Sequence, residues 1–324
     1  MGISRFKTSS VKAPRAASST SSSSAKTILQ VNGRDVPVSR LEKVFYPQTG
    51  FTKAQIIDYY IRISPVLLPH LKDRPLTLKR YPDGVEGGFF YEKRCPPYRP
   101  DWVQTAPIWS EGNNAEIHYC LANDLSSIVW AANLGDLELH TFLSRADKVE
   151  RPTMLVFDLD PGAPANILHC AEVGLLLKEA FDDLKLESFP KTSGSKGLQV
   201  YVPLNTPVTY EQTKPFAHAL ARQLESQRSD LIVSRMEKRL RTGKVLVDWS
   251  QNDQHKTTVC VYSLRAKDRP TVSTPVEWDE VKAALKKQDA GRLTFISDEV
   301  LRRVEKHGDL FAPVLKLKQK LPRL

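Results

Sequence analysis

No stretch of about 18 or more apolar residues occurs in the chain, which excludes a membrane-spanning helix of ordinary length. The four cysteines, Cys95, Cys120, Cys170 and Cys260, include no C-x-x-C pair. That spacing argues against a zinc ribbon and leads one to expect reduced thiols in a cytoplasmic protein. His118 near Cys120 and His169 beside Cys170 lack matching ligands elsewhere and read as packing residues. The G-x-x-x-x-G-K-[ST] phosphate loop is absent, as is any internal repeat. Acids are missing from residues 1–34, which carry six Lys/Arg, and from residues 316–324, which carry four. The formal +10 charge therefore sits in the ends, because the remaining 37 basic and 37 acidic residues cancel. The first 26 residues are rich in Ser, Ala, Lys and Arg but have no apolar core segment, so they are not a secretory signal, although a transit peptide shares that composition.

What the chain does contain is an apolar run, MLVFDLDPG from Met154 to Gly162, ending in two acids one residue apart. On a strand, residues i and i+2 lie roughly 6.6 Å apart on one face. Asp158 and Asp160 can thus converge while Leu159 packs away, and paired carboxylates either shift their pKa or bind a cation. A D-x-D pair alone is as well explained by solvated or capping acids. Its company is more informative. A Ser/Gly/Lys loop, KTSGSKG at 191–197, feeds an alternating apolar strand and offers an anion nest with Lys196 as its charge. A third acid, Asp248, ends another apolar run, with Arg241 upstream. Three strand-borne acids and a basic loop suit phosphoryl or nucleotidyl transfer assisted by two metals.

These residues resemble the polymerase domain of bacterial DNA ligase D, a branch of the archaeo-eukaryotic primases, here met as a stand-alone chain. The likeness runs from about Leu41 to Val314. It is carried by KVFYP (43–47), RPLTLKRYPDG (74–84), Phe89-Phe90, LGDLELH (134–140), FDLDPG (157–162), TSG (192–194), VD (247–248) and YSLR (262–265). The resemblance implies a primase-polymerase that adds nucleotides, favouring ribonucleotides, to a primer 3′-end at gaps or double-strand breaks in non-homologous end joining. It implies that Asp158, Asp160 and Asp248 are the catalytic residues and hold two Mn2+ (or Mg2+) ions. His140, Ser193, Lys196, Gln199, Arg241 and Arg265 match nucleotide-binding positions, with His140 near the sugar and the cations on the triphosphate. Lys43 and Lys53 match positions near the 5′-phosphate of a downstream strand. One departure is Gln199, where the family has His. Gln donates a hydrogen bond but carries no charge, so weaker triphosphate binding or slower turnover is expected.

Aromatic and basic residues interleave in the first half of the chain. Lys79 and Lys93 are further DNA candidates, and one ring of the Phe89-Phe90 pair is expected to be exposed for stacking on a base. The implied partners are DNA ends or gapped duplex, NTP or dNTP, a Ku-type end-binding protein and a separate DNA ligase, since the ligase and nuclease domains of the family are not in these 324 residues. A bacterial cytoplasmic, nucleoid-associated location follows, with no membrane contact. Two other readings fit parts of the pattern, a non-catalytic DNA-end synapsis module and a haloacid-dehalogenase-type phosphatase.

The fold class expected is α/β (α+β), a primase-type catalytic core of mixed sheets flanked by helices, with a smaller mixed module packed against it. The organisation reads as a disordered basic, Ser-rich tail at 1–26, an N-terminal module for DNA-end contacts at 27–150, a catalytic core at 151–314 and a basic tail at 315–324. Thr52 to Gln55 forms a capping box that opens a helix, which Pro65 is expected to break in two. Strands are expected over 76–81 and 89–93. From 152 onward the pattern runs strand, helix (165–184), two strands, helix (210–226), a basic turn and further strands. Helices near 278–285 and 297–306 close the chain.

Overall fold

The computed structural model describes residues 27–322; the expected tail at 1–26 and the last two residues of the basic C-terminal stretch lie outside the described residues. Two short hairpins come first, β1 (Thr27–Val31) with β2 (Arg34–Val38) and β3 (Val44–Tyr46) with β4 (Phe51–Thr52). Helix α1 (Lys53–Leu71) follows, opened by the expected capping box, in which the Thr52 hydroxyl accepts from the Gln55 amide. Pro65 does not break it. The carbonyl that Pro65 cannot serve, that of Ile61, accepts instead from the Ser64 hydroxyl at 2.8 Å. A buried stripe of Ile56, Tyr60, Ile63, Leu67 and Leu71 at three- and four-residue spacing holds the helix through both its prolines.

The next elements are β5 (Pro75–Arg80), β6 (Phe90–Glu92), β7 (Thr105–Ser110), β8 (Ala115–Leu121), α2 (Leu125–Asn133) and β9 (Asp136–Thr141). The second half contributes β10 (Met154–Pro161), α3 (Ile167–Asp183), β11 (Phe189–Thr192), β12 (Leu198–Pro203), α4 (Tyr210–Gln227), β13 (Ile232–Val233), β14 (Val245–Asp248) and β15 (Thr258–Val259). Helices α5 (Trp278–Lys287), α6 (Ser297–His307) and α7 (Ala312–Lys316) complete it. Two larger sheets result. One has the order β15-β9-β5-β8-β7, with β6 hung on β5, and the other β11-β12-β10-β14-β13. Among the described residues every pairing between these strands is antiparallel except β13 with β14. This is the mixed α/β architecture expected.

Strand alternation decides what each face carries. In the five-stranded sheet, Leu155, Phe157 and Leu159 of β10, Leu198, Val200 and Val202 of β12, and Val245 and Val247 of β14 enter a core shared with Leu177 and Phe181 of α3, Leu220 of α4 and Val281 of α5. Fully burying one such large side chain contributes roughly 1.5–3 kcal/mol. The intervening residues face the other way, toward the six-stranded sheet. The two halves of the chain do not part cleanly. Strand β15 leaves the second half to pair with β9, Tyr59 donates its hydroxyl to the Tyr262 carbonyl at 2.8 Å, and the core around α1 includes Leu264, Val300, Phe311 and Val314.

Cys95 and Cys120 form a disulfide, which corrects the expectation of four reduced thiols; Cys170 and Cys260 are free and buried. The partners are 25 residues apart, and the sheet brings their Cα atoms to 4.9 Å, a proximity no local spacing announces. Among the described residues no helix is long and apolar enough to cross a membrane.

Candidate active site

The register across β12, β10 and β14 sets Gln199 and Asp248 directly opposite Asp158, one on either side, and sets Lys191 of β11 opposite Gln199. A row of polar side chains thus crosses the face away from the helices. Asp160, two residues on, continues that face toward the strand end. The chain then turns at Gly162, where an added Cβ would lie 1.9 Å from the Arg241 carbonyl oxygen. Only glycine lets the loop bearing Arg241 come this close. Gly194, at φ +67°, turns the Ser/Lys loop above the same strand end.

A cavity of about 470 Å³ opens over this floor, a size that suits a nucleotide. Asp158, Asp160, Ser193, Lys196, Gln199, His140, Arg265 and Lys93 line it, together with residues not singled out from the sequence: Tyr91, Gln251, His255 and Lys256. The loop is less open to anions than a bare nest. The Ser193 hydroxyl accepts from the amides of Ser195 at 3.2 Å and Gly197 at 3.1 Å, and the Ser193 amide donates to the Gly197 carbonyl at 2.9 Å. Lys196 and its neighbouring hydroxyls, rather than a ring of free amides, are what the loop presents.

The acids are electrostatically stressed. Burial, then the charges of Asp160 and Asp248, push the Asp158 carboxyl up to about 7, against a hydrogen bond from Gln199 and the charge of Lys191. Asp160 is raised by burial and by Asp248, and held back by Lys196, Arg241 and Arg265. Two repelling carboxylates at a strand end fit a hard divalent cation. Asp248 is different. Its carboxylate already accepts from the Ser250 amide (2.9 Å) and hydroxyl (2.6 Å) and from Gln251 Nε2 (2.8 Å), and it does not line the cavity. Among the described residues no three His, Cys, Asp or Glu side chains stand ready as a metal cluster.

Gln199 is engaged from behind. Its Oε1 accepts from Lys191 Nζ, a buried ammonium that also donates to the Ser273 hydroxyl at 2.6 Å and the Val259 carbonyl at 3.1 Å. Burial presses the Lys191 pKa down to about 7. With Lys191 Nζ donating to the amide oxygen, Nε2 is the atom left to donate to Asp158.

The opposite wall comes from the six-stranded sheet. His140 of β9 and Arg265 meet at Glu138, a residue the sequence reading passed over although it stands two before His140 on the same strand face. Arg265 Nη1 also donates to the Ser193 carbonyl, tying this wall to the Ser/Lys loop. Arg241 is near enough to lower the pKa of Asp160, but its Nη2 donates to the Met236 carbonyl at 2.5 Å and it does not line the cavity.

The DNA candidates divide. Phe89 and Phe90 are both exposed, at 52% and 43%, where one exposed ring was expected. Strand β6 is off the main path of the sheet, so neither ring has a core to enter, and they rest on cations instead: Lys79 Nζ lies 4.5 Å from the Phe89 ring and the Arg80 guanidinium 5.1 Å from Phe90. Lys79 also pairs with Glu138 at 3.3 Å. Lys43 and Lys53 lie away from the cavity. Lys43 Nζ donates to the Pro82 carbonyl (2.6 Å) and Asp83 (2.9 Å). Lys53 is buried and donates to Ser39 O, Asn133 O and Asn133 Oδ1, with burial lowering its pKa to about 8.

A family model described as LigD, primase-polymerase domain, matches residues 52–311. The chain is thus of the nucleotidyltransferase class that primase-polymerases define. It belongs to the LigD primase-polymerase domain family. It is 39% identical over 281 residues to the multifunctional non-homologous end joining protein LigD of Mycolicibacterium smegmatis, covering 86% of this chain and 36% of that protein. With the bifunctional non-homologous end joining protein LigD of Bacillus subtilis it shares 33% identity over 269 residues, 83% of this chain and 42% of that one. The chain therefore spans well under half the length of these relatives. A solved structure, the polymerase domain from Mycobacterium tuberculosis ligase D in complex with DNA, superposes with a TM-score of 0.79 at 35% identity, covering 87% of this chain and 98% of that chain. The dehalogenase reading is overturned by these matches.

Proposed function

We propose that this protein adds nucleotides, favouring ribonucleotides, to a primer 3′-end at DNA gaps or double-strand breaks in non-homologous end joining. The observation that carries the reading is the pairing of two mutually repelling carboxylates, Asp158 and Asp160, with Lys196 and Arg265 in one nucleotide-sized cavity. Asp158 and Asp160 would hold a divalent cation, Mn2+ or Mg2+, with Asp248 beside them as the third acid for a pair of ions. When bound, such ions lower the pKa of the attacking 3′-hydroxyl and offset charge on the leaving group.

The protein's own groups do the rest. Lys196, Arg265 and Arg241 bind the triphosphate oxygens, as cationic donors suit them. His140 meets the sugar, and Ser193 shapes the loop that carries Lys196. Gln199, held by Lys191, orients Asp158 more than it grips phosphate. Phe89 and Phe90, on their cationic seats, stack on unpaired bases, and Lys93 follows the backbone into the cavity. Lys43, beside its Asp83 partner, would bind a strand 5′-phosphate, and Lys53 would do so only on releasing its Ser39 and Asn133 acceptors. Residues 27–150 would supply most DNA contacts and 151–314 the chemistry. A Ku-type end-binding protein and a separate ligase would act with it at the nucleoid in the cytoplasm.

Primer extension on a gapped duplex tests this, with Mn2+ and each of the four NTPs or dNTPs. Extension by the intact protein, faster with NTPs and lost in Asp158→Ala, is expected. DNA binding without extension would leave the end-synapsis role in its place.

A further inference from the structure

We infer that Glu138 is the positioning residue of the nucleotide wall: one buried carboxylate that aims His140 and Arg265 into the cavity and sets which hydrogen bond His140 can make. The inference rests on the reading of the cavity as a nucleotide site.

Glu138 is 1% exposed, in the middle of β9. Its Oε2 lies 3.0 Å from His140 Nε2, 3.3 Å from Lys79 Nζ and 3.3 Å from Arg265 Nε. Its Oε1 accepts from the Ala266 amide at 3.1 Å and the Tyr81 hydroxyl at 3.3 Å. The Arg265 contact is an ion pair that is not aligned as a hydrogen bond, since Nε has no hydrogen-bond partner. Strand geometry produces the cluster. Lys79 of β5 stands directly opposite Glu138, and His140 follows it by two residues on the same face.

The chemistry of the partners fixes the state of the centre. An ammonium, a guanidinium and a backbone amide can only donate, so the carboxylate they share must accept throughout and is ionised. The hydrogen between Glu138 and His140 then belongs to Nε2. In the neutral ring this leaves Nδ1 as a lone pair, so His140 offers a ligand an acceptor, and the ligand group it suits is a sugar hydroxyl. Arg265, drawn toward Glu138 by charge and donating from Nη1 to the Ser193 carbonyl, has its guanidinium set between the wall and the Ser/Lys loop. Without the carboxylate, Lys79 and Arg265 would face each other as uncompensated, half-buried cations, and His140 would be free to rotate or change tautomer.

The experiment uses the full chain with Glu138→Gln and Glu138→Asp. It reads the Kd of a fluorescent ribonucleoside triphosphate by anisotropy in Mn2+, nucleotide KM and kcat in primer extension, and the Mn2+ concentration for half-maximal rate. Glu138→Gln is expected to raise the Kd and KM about tenfold or more, with kcat and the Mn2+ requirement within about threefold. Glu138→Asp keeps the charge but shortens its reach, and is expected to raise the Kd by about threefold, well short of the Glu138→Gln loss. In the double variant Glu138→Gln/His140→Ala, the loss of nucleotide affinity is expected to be clearly less than the sum of the two single losses, the remainder being the part carried by Arg265. Unchanged nucleotide affinity in either variant, full additivity in the cycle, or a parallel fall of kcat and Mn2+ dependence would overturn the inference. If Glu138→Gln does not fold, Glu138→Asp and its own double variant with His140→Ala decide. An intact protein that binds no nucleotide would instead sink the reading of the site.

Discussion

The floor and the wall of the cavity are both built from strands and both charged, yet they meet opposite electrostatic conditions. On the floor, Asp158 and Asp160 repel one another and Asp248, and their carboxyls are pushed up. On the wall, burial of Glu138 is outweighed by its bond to His140 and by Arg265 and Lys79, which hold its carboxyl far below the usual range. One surface is short of positive charge and the other has settled its own account. A cation that binds the floor relieves a stress already present in the fold, whereas the wall is organised before any ligand arrives. The division fits the proposed function, in which the floor sheet and its Lys196 loop would take the metal and the triphosphate while the wall orients the sugar.

The most severe way to break the comparison is to remove a floor acid. Asp158→Ala should cut primer extension by more than about 100-fold, while single-nucleotide anisotropy falls much less. Lys196→Ala comes next, because a charged hydrogen bond of about 1.5–3 kcal/mol is lost from nucleotide binding. Nucleotide KM should rise about tenfold or more, and the acid limb of the pH profile should move upward, because Lys196 holds the Asp160 carboxyl down. Cys120→Ser opens the bond behind the aromatic strand. A loop of this length accounts for about 3 kcal/mol, so thermal unfolding should drop by about 5 °C, and a melt unchanged by the substitution or by dithiothreitol would deny the cross-link.

The gentlest probe is pH. Because Asp158 keeps its proton when folded up to about 7 and loses it near 4 when unfolded, the native state binds more protons between those values. Stability should therefore fall as pH rises from 4 to 7, by a few degrees in Tm, and Mn2+ at pH 8 should restore it. Asp158→Asn should flatten this slope. Glu138 has the opposite sign: its depressed pKa adds stability above about 4 that is lost only in stronger acid. A melt that rises steadily from pH 4 to 8 in the absence of metal would erase the distinction between floor and wall.

Much of the floor was legible because alternation along MLVFDLDPG is a local rule, and the D-x-D spacing states which side both acids share. The capping box at Thr52 and the helices of the second half were legible for the same reason. What local rules do not contain is who sits opposite whom. The Gln199–Asp158–Asp248 row depends on register between strands distant in sequence. The disulfide depends on the pairing around β8, and the continuity of α1 on a Ser64 hydroxyl that covers for Pro65. Glu138 could have been found from its two-residue offset to His140, but the donors around it, Arg265 and Ala266, are more than a hundred residues further on. Lys53 shows the reverse case. A lysine beside a helix start reads as a free surface charge, and here its three acceptors lie on the Ser39 loop and at the end of α2.

The return of β15 to the first sheet bears on how substrates enter. The polypeptide passes back and forth between the sheets, at β9 to β10, at β14 to β15, and again as α5 packs on one core and α6 on the other. Two jaws stitched this often have no single hinge on which to swing apart. The aperture is then set by its lips, the aromatic strand β6, the Ser193–Gly197 loop and the 251–257 segment, and under the proposed function a DNA terminus would be threaded between them rather than clasped.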